Sequence, residues 1–228
     1  IIRNQKRKIK FYQASTSEMF GGKNERKQNE LTNFYPRSPY ATSKTFAHYT
    51  VRNYREAYNI FAVSGILFNH ESPLRGEEFI TRKITLGLAN IISGKKKKIK
   101  VGNLYAKRDW GYAGDYVEAM WKMLQNKSPK DYVIGTGKNY SVKNFIDVAT
   151  KILNLKTKWR GKGINEKLIN LENNKTIIEI DKKFFRPTEV DTLKGDFSKA
   201  AKELNWKPKT NFMELVEMMI KADIGRKL

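Results

Sequence analysis

The chain has 228 residues, of which 39% are hydrophobic and 12% aromatic, and it contains no cysteine. These figures exclude a disordered tail, a disulfide framework and a thiolate metal site, and no apolar run is long enough to cross a bilayer. The 45 Lys and Arg residues exceed the 23 Asp and Glu residues, which gives a net charge of +22. This charge favours anionic partners, but the basic residues are scattered and do not alternate with aromatic residues, so nucleic-acid binding is disfavoured.

The sequence begins at Ile1 rather than at a methionine, and an apolar strand follows shortly afterwards. Because a natural chain rarely begins halfway into a structural unit, we expect a longer protein whose N-terminal part is missing here. No signal peptide is visible, and the absence of cysteine fits a reducing compartment. We therefore expect a cytoplasmic protein without a membrane segment.

Strand-like and helix-like segments alternate along the chain. Residues 11–14 form an apolar run that is typical of a buried strand. Ser38 and Pro39 are typical of a helix start, with Ser as the N-cap and Pro at the first helical position, and they predict a helix over residues 39–58. The nearly continuous apolar run 61–68 suits a parallel strand that is covered on both faces.

The rest of the chain continues this alternation without a clean linker. Strands that alternate with helices predict an α/β fold with parallel pairing. Residues 161–174 are rich in Gly, Asn and Lys and have no hydrophobic period, so they predict a loop or an insertion. Further helices are predicted near residues 79–92, 115–124, 142–153, 198–204 and 211–222, and further strands near 99–101, 132–134 and 176–180.

Tyr40 and Lys44 form a Tyr-x-x-x-Lys sequence at the start of the helix predicted over residues 39–58. Residues four apart share one face of a helix, and an ammonium group close to a phenol stabilises the phenolate, which can act as a general base for a sugar or alcohol hydroxyl. Taken alone, the spacing fits an exposed Tyr and an exposed Lys better than a catalytic pair. The motif by itself is therefore a weak indication.

Ser15-Thr16-Ser17-Glu18 follows the first predicted strand directly. In open α/β sheets ligands bind at the carboxyl ends of the strands, where a hydroxyl and a carboxylate could move protons. A polar capping turn is the simpler interpretation of this segment alone. Together with the Tyr-x-x-x-Lys helix, however, Thr16 and Glu18 predict four reactive groups around one cleft.

Several blocks of sequence then carry a family resemblance. They are residues 11–18, 35–44, 69–73, 81–83, 107–111, 115–121, 186–191 and 204–208. Together they resemble the GDP-mannose 4,6-dehydratases, a family of extended short-chain dehydrogenase/reductases. The resemblance covers nearly the whole chain and implies the C-terminal part of a Rossmann-type parallel sheet plus a smaller mixed α/β substrate-binding lobe.

The resemblance implies a role for each group of the cleft. Tyr40 would take the proton from the mannose 4-hydroxyl while hydride leaves C4 for NADP, and Lys44 would support Tyr40 and hold the nicotinamide ribose. Glu18 would remove the C5 proton and protonate the departing C6 hydroxyl, and Thr16 would hydrogen-bond near the 4-oxygen. The implied reaction is a water elimination that converts GDP-mannose into GDP-4-keto-6-deoxymannose and regenerates NADP.

Further positions match family positions that bind the cofactor or the substrate. His70 and Arg75 would contact NADP, although a strand-end histidine bound to backbone is the simpler interpretation of His70. Arg forks grip diphosphates and a carboxylate can bind ribose hydroxyls, although each Arg could equally form a surface ion pair. The positions implied for the GDP part of the substrate are Asn69, Arg82, Lys83, Arg108, Arg186 and Glu189. The resemblance also implies a homo-oligomer, a dimer or a tetramer, and no metal.

One expected feature of the family is absent from the sequence. No Gly-x-Gly-x-x-Gly turn, which would bring backbone amides to the cofactor pyrophosphate, stands between an N-terminal strand and a helix. We therefore expect residues 1–78 to be the remaining part of the NADP-binding domain, and residues 79–228 to be mostly the substrate lobe, interwoven with the sheet. The chain alone is expected to bind NADP poorly.

Two other functions remain open at this point. One is a related nucleotide-sugar epimerase or dehydratase with another base, although residues 69–73 and 107–110 argue against it. The other is a basic, non-catalytic fragment that binds nucleic acid or pairs with a partner subunit. Binding of GDP with selectivity over other nucleotides would separate the enzyme classes from the basic fragment.

Overall fold

The computed structural model of the chain describes residues 1–5, 8–22, 27–185 and 188–225. The chain forms two compact units, and each of them is built from three separate segments. The first unit comprises Ile1–His70, Arg108–Asn139 and Val190–Thr210, and the second comprises Glu71–Lys107, Tyr140–Glu189 and Asn211–Leu228.

The elements alternate as the sequence predicts, and the α/β fold is confirmed. The helices of the described residues are α1 (Pro39–Tyr58), α2 (Ile80–Ile92), α3 (Ala113–Gln125), α4 (Val142–Ile152), α5 (Ser198–Leu204) and α6 (Phe212–Gly225). The strands are β1 (Phe11–Thr16), β2 (Ala62–Leu67), β3 (Asn69–Glu71), β4 (Ile99–Val101), β5 (Lys107–Arg108), β6 (Trp110–Tyr112), β7 (Asp131–Ile134), β8 (Tyr140–Ser141), β9 (Thr157–Arg160), β10 (Lys167–Asn170) and β11 (Thr176–Ile180). No helix among these described residues is both long and apolar enough to cross a membrane.

A parallel sheet in the order β1-β2-β7 is the centre of the first unit. All six residues of β2 are buried, as the nearly continuous apolar run predicts for a strand that is covered on both faces. Successive side chains point to opposite faces, so Val63 and Leu67 pack with α3 and α5 while Ile66 packs on the other face. Because the strands are parallel, their carboxyl ends lie at one end of the sheet.

The two edges of this sheet are protected differently. On the outer edge of β7, the Glu30 carboxylate accepts a hydrogen bond from the Val133 N–H at 2.7 Å, and Lys199 Nζ donates to the Asp131 carbonyl at 2.8 Å. Charged side chains that occupy edge backbone groups prevent another strand from pairing there. In the part of the chain that the structure describes, no strand pairs with the outer edge of β1.

Strand pairing explains why each unit is built from separate segments of the chain. β7 lies at residues 131–134 yet must pair with β2, so residues 108–139 belong to the first unit. The chain enters the second unit at residue 71, and residues 190–210 also belong to the first unit. The compact units are thus not two consecutive stretches, and the functional division at residue 78 stays a prediction.

The second unit contains a sheet in the order β4-β11-β10-β9, in which β4 and β11 are parallel and the other pairs are antiparallel. The prediction of a loop throughout residues 161–174 is wrong, because β10 lies within that stretch. Leu168 and Ile169 of β10 are buried, and the strand bonds to a neighbour on each side. The apolar part of this strand is too short to predict a strand from the sequence, because the strand depends on pairing with segments elsewhere in the chain.

Helix α4 begins with a complete capping box. The Ser141 hydroxyl accepts a hydrogen bond from the Asn144 N–H, and the Asn144 side chain accepts one from the Ser141 N–H, both at 3.0 Å. These two bonds satisfy backbone donors that the first turn of a helix would otherwise leave unpaired. The side chains of Ser141 and Asn144 therefore fix the start of this helix at Val142.

Replacement of this cap gives a first test of the fold. We expect Ser141→Ala to lower the free energy of unfolding by about 1 kcal/mol, because the Asn144 N–H loses its acceptor. Urea denaturation would measure the loss, with Ser128→Ala as the control, since Ser128 is exposed outside any helix. Equal stability of the two variants would contradict the contribution of the cap.

Candidate active site

Polar side chains collect at the carboxyl end of β1. Thr16 ends the strand and caps the 3₁₀ turn Ser17–Phe20, and its hydroxyl accepts a hydrogen bond from the Glu18 N–H at 3.3 Å. Met19 and Phe20 are buried and fix this turn to the core of the first unit. The turn therefore holds Thr16 and Glu18 at the end of the sheet where ligands of open α/β sheets bind.

The first turns of α1 carry the predicted phenol and ammonium groups. The Ser38 hydroxyl accepts a hydrogen bond from the Ala41 N–H at 3.1 Å, which starts the helix at Pro39 as predicted. Tyr40 remains 54% exposed, and Lys44 Nζ lies 5.8 Å from the centre of its ring. The two side chains therefore share one face of the helix, as their spacing requires.

Helix α1 packs against both β1 and the turn that carries Glu18. Lys44 Nζ donates a hydrogen bond of 2.9 Å to the Ala14 carbonyl, two residues before Thr16. A hydroxyl, a carboxylate, a phenol and an ammonium group thus belong to adjoining elements at one end of the sheet. This arrangement can supply both a base and an acid for proton transfer.

Arg108 lies beside Glu18. Its Nη1 donates a hydrogen bond of 2.6 Å to the Val190 carbonyl, and its Nε lies 3.9 Å from Glu18 Oε1. The resemblance assigns Arg108 to the GDP part of a substrate, but these contacts also place its positive charge next to the predicted catalytic carboxylate. The sequence alone gave no signal of this neighbour.

Asn69 and His70 follow the carboxyl end of β2. The buried Asn69 Oδ1 accepts no hydrogen bond from the described residues, so it can still accept one from a bound molecule. His70 Nδ1 lies 2.9 Å from the Phe68 carbonyl and its ring stacks on Tyr116. Because a carbonyl oxygen only accepts hydrogen bonds, Nδ1 must carry the proton that it donates to Phe68. Nε2 lies on the other side of the ring and points away from the Phe68 carbonyl.

The second unit contains the other predicted binding residues. Arg75 Nε lies 3.1 Å from Glu71 Oε2, and its guanidinium lies 3.4 Å from the centre of the Phe79 ring. Arg82 is buried, and its Nη2 pairs with Asp223 at 2.7 Å while Nη1 donates to the Pro73 carbonyl. These contacts make Arg82 a structural residue of its unit, whatever else it binds.

Lys83 is the centre of a basic cluster in the second unit. Its Nζ lies 3.5 Å from the centre of the Phe184 ring. Burial lowers the pKa of Lys83, the positive charges of Lys96 and Lys183 lower it further, and the Asp181 carboxylate opposes these effects. An anionic ligand would relieve this repulsion, so the cluster fits a diphosphate. Of the remaining predicted residues, Glu189 is half-buried in the same unit, and Arg186 lies outside the described residues.

Asp109 is a buried carboxylate that the sequence analysis did not single out. Its oxygens accept hydrogen bonds from the Thr136 N–H and hydroxyl at 2.8 and 2.6 Å, and from the N–H groups of Gly137 and Gly195 at 3.0 Å. Burial raises the pKa of this carboxyl, and the four hydrogen bonds oppose the rise. Asp109 thus joins two loops next to Arg108. The only signal in the sequence that could have indicated Asp109 is the position of this charged residue directly before Trp110, which is buried.

This carboxylate is expected to be a major contributor to stability. Asp109→Ala would leave several buried donors unsatisfied, so we expect the free energy of unfolding to fall by about 3 kcal/mol or more. Chemical denaturation would measure it, with Asp191→Ala, at an exposed position, expected within about 0.5 kcal/mol of the unchanged chain. A loss below about 1 kcal/mol in Asp109→Ala would show that the two loops do not depend on it.

Comparison of the sequence with known proteins finds close relatives of this chain. The sequence model of the family described as GDP-mannose 4,6 dehydratase matches residues 1–219. The chain is 56% identical over 218 residues to the GDP-mannose 4,6 dehydratase of Drosophila melanogaster, which covers 95% of this chain and 55% of that protein. It is 53% identical over 216 residues to the GDP-mannose 4,6 dehydratase of Homo sapiens, covering 95% of this chain and 58% of that protein. The chain therefore spans a little over half the length of these curated relatives.

Solved structures show the same fold at low sequence identity. RMD from Pseudomonas aeruginosa, complexed with NADPH, superposes with a TM-score of 0.80 at 18% identity, covering 96% of this chain and 68% of that chain. The dTDP-glucose 4,6-dehydratase from Bacillus anthracis, in complex with NAD, has a TM-score of 0.76 at 20% identity, covering 93% and 61%. At these identities the likeness shows the fold alone, and it confirms the Rossmann-type α/β architecture.

Proposed function

The chain belongs to the GDP-mannose 4,6-dehydratase family, and we propose that it carries the catalytic and substrate-binding residues of such a hydro-lyase. The observation that carries the proposal is the meeting of β1 and α1 in the first unit. β1 ends in Thr16 and Glu18, and α1 presents Tyr40 and Lys44 beside that end. Each of these groups has a task in the elimination of water from GDP-mannose.

Tyr40 and Lys44 act on the 4-hydroxyl of the mannose. The exposed phenol of Tyr40 can reach a bound sugar, and as phenolate it removes the hydroxyl proton while C4 is oxidised. The Lys44 ammonium stabilises the phenolate, and its bond to the Ala14 carbonyl fixes its position on β1. The Thr16 hydroxyl hydrogen-bonds the 4-oxygen and orients it toward Tyr40.

Glu18 acts on C5 and C6. Once C4 is a ketone, the C5 proton is acidic and the Glu18 carboxylate removes it. The same carboxyl group then protonates the departing 6-hydroxyl, which leaves as water and gives a 4-keto sugar with a double bond between C5 and C6. Return of the hydride to C6 and addition of a proton from water at C5 would then give the 4-keto-6-deoxy sugar. Arg108, with Nε 3.9 Å from Glu18 Oε1, places a positive charge beside this carboxylate.

The residues of the chain fit one end of an NADP molecule. Lys44 and His70 lie near the carboxyl ends of the parallel strands. Arg75 of the second unit is a further residue of the proposed cofactor set. The printed sequence contains no Gly-rich turn for the pyrophosphate. NADP, when bound, would supply the acceptor for the C4 hydride and return that hydride to C6.

Two of the proposed GDP-binding residues have a feature that suits this ligand. Asn69 Oδ1 can accept a bond from the substrate, and the cluster around Lys83 fits the diphosphate. Arg82, Arg108, Arg186 and Glu189 complete the proposed set, with Arg82 acting mainly through the chain segment that it holds. We further propose a cytoplasmic homo-oligomer, a dimer or a tetramer.

The open edge of β1 supports a role for further strands. The outer edge of β7 is occupied by Glu30 and Lys199, whereas no described strand covers the outer edge of β1. An unpaired edge is a template for another strand. We propose that strands of a nucleotide-binding segment with a Gly-rich turn pair there and complete the site.

A complementation assay tests the catalytic assignment. The chain would be co-expressed with the N-terminal segment of a full-length family member that contains the Gly-rich turn, and formation of the 4-keto-6-deoxy sugar from GDP-mannose would be measured. We expect turnover from the pair and little or none from the 228 residues alone. Tyr40→Phe should reduce the kcat of the pair by about 100-fold or more, since it removes the general base.

Tyr49→Phe is the matched control for this variant. Tyr49 also lies on α1 and is 50% exposed, close to the 54% of Tyr40, so both substitutions remove one hydroxyl from a similar environment. Only the Tyr40 variant should lose turnover. Full activity of Tyr40→Phe, or an equal loss in both variants, would refute the role of Tyr40.

Calorimetry tests the proposed diphosphate site. We expect the chain to bind GDP and GDP-mannose in preference to UDP, and Lys83→Ala to weaken GDP binding about tenfold, because the Lys83 cluster loses its central charge. Lys151→Ala, at an exposed lysine of α4, should leave binding unchanged. Equal weakening by both variants would indicate general attraction of anions to a basic chain rather than a site.

A further inference from the structure

A buried histidine lies on the same helix as the proposed base, and the mechanism does not use it. Tyr40, Lys44 and His48 follow one another at intervals of four along α1, so they share one face. His48 is only 4% exposed, and its Nδ1 lies 2.9 Å from Ser15 Oγ in β1. Ser15 lies between Ala14, which accepts the Lys44 bond, and Thr16.

The same helix is bound to the other two strands by an arginine. Arg55 forms two hydrogen bonds with the Asp131 carboxylate in β7, at 2.7 and 3.0 Å, and donates to the carbonyl of Ala62 in β2 at 3.1 Å. Burial raises the pKa of Asp131, but the bonds from Arg55 outweigh this effect and hold it below its ordinary value. Helix α1 is therefore attached by side chains to every strand of the three-stranded sheet.

The carboxylate of Asp131 also selects the tautomer of His48. His48 Nε2 lies 3.8 Å from Asp131 Oδ2, which favours a proton on Nε2. Nδ1 of the neutral ring is then an acceptor, and the Ser15 hydroxyl donates to it. The hydroxyl of Ser15 thus has one defined partner in the core.

Ser15, His48 and Asp131 are neighbours in the fold, like the residues of a nucleophilic Ser-His-Asp triad, but their geometry excludes that role. Ser15 and His48 are 3% and 4% exposed, so no substrate can reach the hydroxyl. At 3.8 Å, His48 Nε2 and Asp131 are too far apart for the hydrogen bond that orients a catalytic histidine. The three residues are packed between helix and sheet and cannot attack a substrate.

We propose that His48 is a positioning residue that fixes the register of α1 on β1 and thereby places Tyr40 and Lys44 beside Thr16 and Glu18. The inference rests on the proposed function for what those four groups do. A helix advances 1.5 Å per residue, so a slip of one residue would displace the phenol by about that distance. A misplacement of about 1 Å costs about 100-fold in rate, so this single buried bond matters for catalysis.

The burial of His48 also predicts a dependence of stability on pH. Burial lowers the pKa of His48, and the positive charges of Arg55 and Arg52 lower it further. The Asp131 carboxylate opposes these effects, and the Tyr49 ring packs against the imidazole. The folded chain therefore binds this proton less readily than the unfolded chain. Stability should be complete above about pH 6.5, the ordinary pKa of histidine, and fall as the pH decreases below it.

Two variants separate the hydrogen bond from the bulk of the side chain. His48→Asn places an amide oxygen near the position of Nδ1 and keeps an acceptor for Ser15, whereas His48→Leu removes it. We expect amide exchange of residues 41–45 to accelerate about fivefold or more in His48→Leu and to return toward the original rate in His48→Asn. Ser15→Ala should act like His48→Leu, and the double variant should be no faster than either.

A matched core variant controls for a general loss of stability. Val63→Ala opens a small cavity on the opposite face of the sheet and touches neither Ser15 nor His48. The two variants are compared under conditions in which Val63→Ala and His48→Leu lose the same free energy of unfolding. If Val63→Ala then accelerates exchange in residues 41–45 as much as His48→Leu does, His48 is merely a core residue and the proposal fails. Acceleration confined to the His48 and Ser15 variants supports it.

Spectroscopy and turnover complete the test. The chain has two histidines, so nitrogen NMR of the imidazoles resolves His48 against His70 as an internal reference. A proton on Nε2 of His48 is expected, and a proton on Nδ1 would overturn the assignment of Ser15 as donor. In the complemented enzyme, His48→Leu should lower kcat about tenfold or more with KM unchanged, and His48→Asn should restore it. If the complemented enzyme shows no turnover at all, the proposed function fails, while the exchange and NMR results still decide the role of His48.

Discussion

Parallel pairing around a strand that is buried on both faces is the constraint on which the first unit depends. β2 has no exposed residue, so the chain must cover it with β1 and β7 at its edges and with helices on its faces. Parallel strands finish at one end of a sheet, and the polar residues that follow β1 and β2 therefore meet there. The candidate site is a consequence of this direction of the strands, because Thr16 ends β1, Glu18 lies in the turn that follows it, and Asn69 follows the apolar run that contains β2.

Buried polar contacts then decide how the helix lies on the sheet. Apolar packing is not directional, and it would allow α1 to slide along the strands at little cost. Hydrogen bonds from Ser15 to His48 and from Arg55 to Asp131 are directional, and buried donors and acceptors are costly to leave unpaired. In the neighbouring loops, Asp109 has the same effect, because one carboxylate gathers four donors from two segments.

The two units divide the proposed tasks by chemistry. The first unit contains the groups that we propose to exchange protons, and the second contains the basic cluster around Lys83 that we propose to bind a diphosphate. The chain spans little more than half the length of the relatives that it matches, and the outer edge of β1 carries no described strand. A Gly-rich segment that pairs with this edge would add the phosphate contacts that the printed sequence does not contain.

The sequence by itself determined the α/β class and the bounds of α1, because hydrophobic period and helix caps are local signals. It predicted Thr16, Glu18, Tyr40 and Lys44 as reactive groups from the Tyr-x-x-x-Lys spacing, the polar end of β1 and the family resemblance, and their roles stay a prediction. It could not predict β10, since Leu168 and Ile169 become a strand only when β9 and β11 supply hydrogen bonds from either side. It also could not show that Arg108 lies beside Glu18 or that Ser15 binds His48. Tertiary structure decided those contacts, because each one joins residues that are far apart in the chain and has no pattern within either segment.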